Sequence, residues 1–267
     1  MSSSVWYSAV DARLPGSFGH TACPVSREIS PAERMPARDL EGYLATGESA
    51  LKAIRLAQLA ARVPDFHSIL DLPCGHGRVM RWLRAAYPRA ELSACDILRD
   101  GVDFCAEAFA ARAVYSRPRI MADEFPARYD LIWVGSLFTH IDVPDWDHLI
   151  ALFYDVLVPG GLLVMTTHGE LVAQRMHAGE LYGYPERSVA RALRAYEHSG
   201  FAFLEEGTEQ IEYGITLSRP EWVVNRVLRL PEFRMALYCE ALWANHQDVV
   251  AIVKRKNDPD IANRPYT

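Results

Sequence analysis

The sequence predicts an α/β fold, one doubly wound sheet with helices on both faces, from three observations. Half of the 267 residues are hydrophobic, enough for one substantial core. Short apolar runs of strand character alternate with helical stretches between Ser68 and Thr166, the pattern of a mostly parallel sheet covered on both sides. The first of these runs opens the segment Ser68-Ile-Leu-Asp-Leu-Pro-Cys-Gly-His-Gly-Arg-Val-Met-Arg-Trp-Leu, a strand, a glycine turn and an amphipathic helix. In a doubly wound sheet such a turn stands at the carboxyl end of the first strand, where ligands bind.

Residues 1–36 carry Pro15, Gly16, Gly19, Pro24, Pro31 and Pro36 with no sustained helical period, so they read as an irregular arm placed to fold back over a ligand site. From Leu40 to Arg62 the apolar positions Leu44, Leu51, Ile54, Ala57 and Leu59 share a helix face, and Pro64 stops the helix. Strands are expected at Ser68 to Leu72, Leu92 to Cys95 and Asp130 to Val134, with helices starting near Arg78 and Gly101. A helix over Asp145 to Val158 is closed by Pro159-Gly160-Gly161, a stop and turn signal, before the apolar strand Leu162 to Thr166. Residues 168–235 change character: a helical pattern at Arg187 to Ser199, a strand at Phe201 to Glu205, and many Tyr and Trp residues. They read in part as a substrate-side cap. The last strand is expected in Trp243 to Val253, where His246-Gln247-Asp248 leads into Val249-Val-Ala-Ile-Val.

Composition excludes several classes. A net charge of −6 gives no electrostatic footprint for a nucleic acid. No apolar run approaches the roughly 20 residues that cross a bilayer, and Met1-Ser-Ser-Ser-Val-Trp lacks the charged and apolar parts of a signal peptide. A cytoplasmic protein with no membrane partner is therefore expected. The 5 cysteines are odd in number and lack CxxC spacing, so neither a disulfide framework nor a metal site is indicated. The oligomeric state is not readable.

The glycine turn runs Gly75-His-Gly77-Arg-Val-Met80, so the third glycine of a dinucleotide fingerprint is missing and an NAD(P)-dependent oxidoreductase is the weaker reading. Asp71, four residues before Gly75, instead resembles the acid that opens the first motif, [DE]xGxGxG, of class I S-adenosylmethionine-dependent methyltransferases, with Pro73 standing where the first glycine usually does. Gly75 and Gly77 let the backbone approach a ligand as no side chain allows. About 20 residues on, Asp96 ends the second strand as a ribose acceptor or as a helix cap. The family places an acid there for the ribose, and the next residue, Ile97, against adenine. Met121-Ala-Asp123-Glu-Phe-Pro resembles the segment whose Asp accepts from the adenine amino group, and Pro159-Gly-Gly161 resembles the turn before the fifth strand. These elements span residues 68–166 in the family order.

The resemblance implies a seven-stranded sheet and S-adenosyl-L-methionine as cofactor, within a single domain: arm 1–36, cofactor core 37–167, cap 168–235, and last strand with tail 236–267. It implies cofactor contacts from Tyr43, Gly47, Asp71, Pro73, Gly75, Gly77, Asp96, Ile97, Asp123 and Gly135. Arg78 either pairs with the cofactor carboxylate or lies on a solvated helix face. The stretches Gly135-Ser-Leu-Phe-Thr-His140 and Thr166-Thr-His168-Gly169 follow the fourth and fifth strands. His168, then His140, are candidates for taking a proton from the acceptor or for a structural role. Tyr182, Tyr184, Tyr213 and Trp222 either line an acceptor pocket or pack the cap. Val134-Gly-Ser-Leu137 lacks the Pro-Pro-Tyr signature of amino-directed nucleic-acid enzymes and the Pro-Cys pair of cytosine enzymes. The loop where arginine enzymes hold guanidinium has no paired glutamates, and catechol-type metal ligands have no counterparts, which leaves a small molecule or glycan. The resemblance implies methylation at a hydroxyl or carboxyl oxygen. A catalytically silent cofactor-binding scaffold is the alternative from another class.

Overall fold

The computed structural model describes residues 22–35, 39–117, 119–205 and 214–256. Helix α1 (Leu40–Ala61) begins at Asp39, whose side chain accepts from the Gly42 amide, and ends at Arg62 in the left-handed conformation. Then follow β1 (Ser68–Asp71), α2 (Met80–Ala86), β2 (Glu91–Asp96), α3 (Arg99–Phe109), β3 (Arg112–Tyr115) and β4 (Tyr129–Val134). Helix α4 (Val143–Val156) leads into β5 (Leu157–Thr167). The chain continues through α5 (Glu170–His177), α6 (Glu186–Ser199), β6 (Phe201–Leu204), β7 (Ile215–Ser218), α7 (Pro220–Val227), β8 (Phe233–Trp243) and β9 (Gln247–Lys254).

Seven strands form one sheet in the order β3-β2-β1-β4-β5-β9-β8. β1 to β5 are parallel, and β9 runs antiparallel to both its neighbours. Alternate residues of the central strands feed two cores. Ile69, Leu131, Trp133, Leu162, Val164 and Ala251 pack with α1, α2 and α3. Leu70, Ile132, Val134, Leu163, Met165 and Ile252 pack with α4 and α7 on the other face. That double burial is why these strands read as continuous apolar runs. The chain order reverses between β1 and β4, so the crevice at their carboxyl ends is the switch point where a ligand sits.

Two sequence expectations change. Helix α4 starts before Asp145 because Asp142 caps it, accepting from the Asp145 amide at 3.2 Å, with Pro144 in the first turn where no amide is needed. Pro159-Gly160-Gly161 is not a turn ahead of β5 but an irregularity inside it. Tyr129 pairs with Leu157 and Leu131 with Leu162, so the extra residues bulge out of the ladder, with Gly160 at φ +88°. The region around 168–235 contains the expected helix and the strand at Phe201, and adds a partner strand that the sequence did not reveal. β6 pairs antiparallel with β7 in a separate two-stranded sheet, and α5 and α6 pack on it around Val172, Met176, Val189, Leu193 and Leu217.

The final hairpin is longer than the expected last strand. β8, half-buried along most of its length, lacks the clean alternation that would have exposed it in the sequence. It is tied to α1 by the Trp243 indole, which donates to the Thr46 carbonyl at 3.0 Å, and by Arg234, which donates to the Ala61 carbonyl at 3.0 Å. Among the described residues, no helix is long and apolar enough to cross a membrane.

Candidate active site

The loop after β1 is held from both sides. The Leu72 amide donates to Trp133 O and the Cys74 amide to Cys95 O, each at 3.0 Å, which fixes the turn between β4 and β2. The Leu72–Pro73 peptide is cis. Gly75 adopts φ +50° with nothing within 4 Å of where a Cβ would stand, whereas a Cβ on Gly77 (φ +80°) would lie 2.3 Å from the Phe109 ring. Gly75 therefore presents open backbone at the crest of the loop, and Gly77 is required by packing beneath it. Met80, where a dinucleotide fingerprint has its third glycine, is fully buried.

Asp96 lies at the carboxyl end of β2. Its Oδ2 accepts from the Gly75 amide at 2.8 Å and its Oδ1 from the Leu98 amide at 3.0 Å. Each oxygen keeps a further lone pair for another donor. Asp71 is almost fully buried, and neither carboxylate oxygen has a partner among the described residues. Burial, with the Asp96 charge adding to it, pushes its pKa well above the ordinary aspartate value against the opposing pull of Arg78. A buried carboxylate left this way is costly unless a donor or a cation joins it.

The half-buried Arg78 reaches across the loop, its guanidinium 5.9 Å from the Tyr43 ring centroid and 5.7 Å from that of Trp243. The Tyr43 hydroxyl donates to Glu33 Oε2 at 3.1 Å. Arg81, fully buried, donates to Gly77 O at 3.0 Å and to the carbonyls of Ser26 and Glu28 at 3.0 and 2.8 Å. The described part of the arm is thereby pinned to the glycine loop. Arg81 and Glu33 escaped the sequence reading, although a charged residue on the apolar face of α2, four after Gly77, is a signal that could have found the former. Gly47 lets α1 close onto α2, since a Cβ there would lie 2.2 Å from the Arg78 carbonyl and 2.6 Å from Trp82. Beyond Asp96, Ile97 and Leu98 are 42% and 47% exposed and Met121 is 51% exposed, beside the exposed Asp123 in a 3-10 turn over Ala122–Glu124.

The residues present fit S-adenosylmethionine. Asp71, with two unpartnered oxygens, suits a cationic or hydrogen-bond-donating group. Asp96 has capacity for a diol, Gly75 opens the backbone, and the exposed apolar side chains suit a base.

At the carboxyl ends of β4 and β5, the Ser136 amide donates to Thr166 Oγ1 at 2.8 Å, and Thr166 Oγ1 donates to Gln247 Oε1 at 2.6 Å. Gln247 Nε2 returns a bond to Ser136 Oγ at 2.9 Å. The cycle holds Ser136 at φ +60°. Gly135 gives room to the edge-on pair Trp133 and Trp243, 5.3 Å apart, since a Cβ there would lie 2.9 Å from one indole and 3.0 Å from the other. The small sheet is stitched over this edge, with the Thr216 amide donating to Thr139 O and the Ser218 amide to His168 O, both at 2.8 Å. His140 places Nδ1 2.7 Å from Gly214 O.

His168 is 4% exposed, with Nδ1 unpartnered among the described residues. Burial first, then the neighbouring His246 and His140, push its pKa down to about 3. Its ring centroid lies 5.2 Å from His246, 6.2 Å from His140 and 6.5 Å from Tyr182. His246, which the sequence reading passed over, sits in a hairpin turn whose Ala244 and Asn245 have φ of 55° and 52°. Of the expected aromatic group, Tyr182 joins these histidines. The Tyr184 hydroxyl donates to Leu204 O at 3.4 Å. Trp222 stacks on Phe201 at 4.4 Å and meets Trp146 edge-on at 5.1 Å, a packing role in the core on the α4 side. Tyr213 lies outside the described residues. No cluster of three or more His, Cys, Asp or Glu suited to a metal ion occurs among the described residues.

Residues 69–161, from β1 into the bulge of β5, match the methyltransferase domain family. The sheet order and the glycine turn agree with this similarity to a methyltransferase domain. A S-adenosylmethionine-dependent methyltransferase from Clostridium acetobutylicum ATCC 824 aligns at 11% identity and TM-score 0.55, over 83% of this chain and 95% of that one. The Burkholderia thailandensis 1,6-didemethyltoxoflavin-N1-methyltransferase, solved with 1,6-didemethyltoxoflavin and S-adenosylhomocysteine bound, aligns at 12% identity and TM-score 0.55, over 82% and 83%. An O-methyltransferase family protein from Burkholderia thailandensis aligns at 12% identity and TM-score 0.49; the chain spans 62% of its length, and the alignment covers 83% of this chain. At such identities the solved structures share the fold alone. No curated protein sequence matches the chain significantly.

Proposed function

We propose that the protein methylates an oxygen of a small-molecule acceptor, a carboxyl group or a readily ionised hydroxyl. When bound, S-adenosylmethionine supplies an electrophilic methyl group. In this reading Asp96 accepts from the ribose hydroxyls, and Gly75 and Gly77, with Pro73 in the same turn, carry the backbone against the methionine end. Asp71 faces the ammonium from below, and Arg78, seated on Tyr43, faces the carboxylate. Ile97 and Asp123 flank adenine. Gly47 and Gly135 act by admitting Trp82 and the two indoles to their places.

The observation that carries the acceptor assignment is the place of His168, buried just beyond the carboxyl end of β5 with Nδ1 unpartnered among the described residues. With a pKa held at about 3, its imidazole is neutral at physiological pH and its conjugate acid is far too strong to retain a proton taken from an aliphatic alcohol. His168 therefore hydrogen-bonds and orients the acceptor, and His140, anchored to Gly214, supports it. An oxygen that is already ionised at neutral pH needs alignment and exclusion of water more than a base. The test is methyl transfer from labelled S-adenosylmethionine to matched sets of carboxylic acids, phenols, sugars and amines, with products identified by mass spectrometry. Methyl esters or aryl ethers are expected. Products methylated at nitrogen, or no product from protein that binds S-adenosylhomocysteine, would contradict the assignment.

A further inference from the structure

Beside His168 the structure gathers hydrogen-bond donors and a positive charge, with the exposed Glu180 the acidic side chain whose field reaches two of them, His246 and Tyr182. Arg175, in the last turn of α5, places Nη1 2.8 Å from His246 Nδ1 and donates from Nη2 to the Asn245 carbonyl at 3.2 Å. A guanidinium only donates, so His246 Nδ1 accepts, its proton resides on Nε2, and Nε2–H is left as a donor. Tyr182 lies 6.0 Å from the His246 ring, centroid to centroid. Among the described residues Arg175 forms no ion pair within 4.0 Å, although it is half-buried.

The position of this cluster is fixed by structure rather than by chance side-chain placement. α5 begins directly after β5, where Gly169 admits the Asp248 carboxylate, 2.0 Å from where a Cβ would stand. Asp248 in turn accepts from the Tyr238 hydroxyl at 2.6 Å and from the Ala241 amide at 2.9 Å. The hairpin tip and α5 are thus locked together, and Arg175 and His246 meet across the lock at the acceptor edge of the sheet. A guanidinium with spare N–H groups, a neutral imidazole N–H and a phenol together complement an oxyanion.

We propose that Arg175, His246 and Tyr182 form an oxyanion subsite that anchors the methyl acceptor, so that the substrate is an anionic small molecule bearing a carboxylate or a phosphate. This inference rests on the methyltransferase reading and narrows its acceptor. The test titrates protein saturated with S-adenosylhomocysteine with benzoate, phenyl phosphate and the neutral isostere benzamide. Calorimetry and the imidazole nitrogen resonance of His246 report binding. At least one anion should bind about tenfold or more tighter than benzamide and shift the His246 resonance, and Arg175→Met should abolish the preference without changing affinity for S-adenosylhomocysteine. Benzoate against phenyl phosphate separates the two oxyanion sources.

The proposal is overturned if neither anion is preferred over benzamide, or if the preference survives in Arg175→Met. Should that variant fail to fold, the wild-type preference together with the His246 shift decides the matter, and a preference that leaves His246 unmoved counts against the subsite. Loss of S-adenosylhomocysteine binding in the wild type would instead strike the methyltransferase reading itself, so the two failures are distinguishable.

Discussion

The two sides of the crevice are built from different materials. On the side proposed for the cofactor, β1, β2 and the loop between β1 and α2 present mostly backbone, shaped by Gly75 and Gly77 and held by Asp96, all within a span of 26 residues from Asp71. On the side proposed for the acceptor, His140, His168, Arg175, Tyr182 and His246 come from five separate segments, brought together by β7 and the β8–β9 hairpin. The first side depends on a conformation that few residues can adopt, the second on side chains that many folds could present. A backbone site should therefore fail abruptly under single substitutions, and a side-chain site should change selectivity while leaving the fold and cofactor affinity in place.

The comparison breaks most severely at Gly77. Gly77→Val combines a positive φ with a Cβ 2.3 Å from the Phe109 ring, and it should cost roughly 2–4 kcal/mol of stability together with binding of S-adenosylhomocysteine. Thermal melting with and without ligand checks both effects. Asp96→Ala should come next, weakening S-adenosylhomocysteine by about ten- to a hundredfold through loss of the ribose acceptor and of the bond that holds the Gly75 amide. Isothermal titration reads it directly.

Asp71→Asn should separate stability from binding. The raised pKa of Asp71 means that the folded protein holds that proton more tightly than the unfolded chain, so its contribution is lost as pH rises from the ordinary aspartate range through the folded value. Near pH 7 the neutral amide should raise the melting temperature of the ligand-free protein, by an amount equivalent to about 1–3 kcal/mol, while ligand affinity falls. A lower melting temperature would show that the carboxylate is satisfied without ligand.

On the proposed acceptor side the effect is confined to acid pH. His168 is depressed from 6.5 to about 3. Between those values the unfolded chain binds the extra proton, so stability falls as pH drops through that window. His168→Gln should flatten this acid limb in urea titrations at about pH 7 and about pH 4.5, with S-adenosylhomocysteine affinity unchanged. An acid limb identical to the wild type would mean that His168 is not held neutral.

The same contrast explains what can be read from the chain alone. The order of β1, β2, β4 and β5, the first helix, the glycine turn and Asp96 are legible because each rests on local spacing and on residues whose backbone demands are narrow. β3, β7 and β8 are not legible. β3 and β7 are as short as β1 and β6, but neither is marked by a glycine turn like the one after β1 or by a helix closed on glycine like α6 before β6, and β8 is half-buried without alternation. Pro159-Gly-Gly161 misleads because a turn signal and a strand bulge use the same residues. His246 and Arg175 cannot be paired from sequence, since they are 71 residues apart and meet through the Gly169–Asp248 contact. The aromatic group disperses for a similar reason: Trp222 has a core partner, Phe201, that only the folded chain brings to it.

The central claim is that the crevice at the β1–β2 edge binds S-adenosylmethionine through Asp96 and the glycine loop. Isothermal titration of the wild type and Asp96→Ala with S-adenosylhomocysteine, and of the wild type with NAD, tests it most directly. The account predicts saturable binding of S-adenosylhomocysteine at one site, no measurable binding of NAD, and a strongly weakened Asp96→Ala variant that still melts cooperatively. Binding of NAD in place of S-adenosylhomocysteine, or equal affinity in the folded variant, would contradict it.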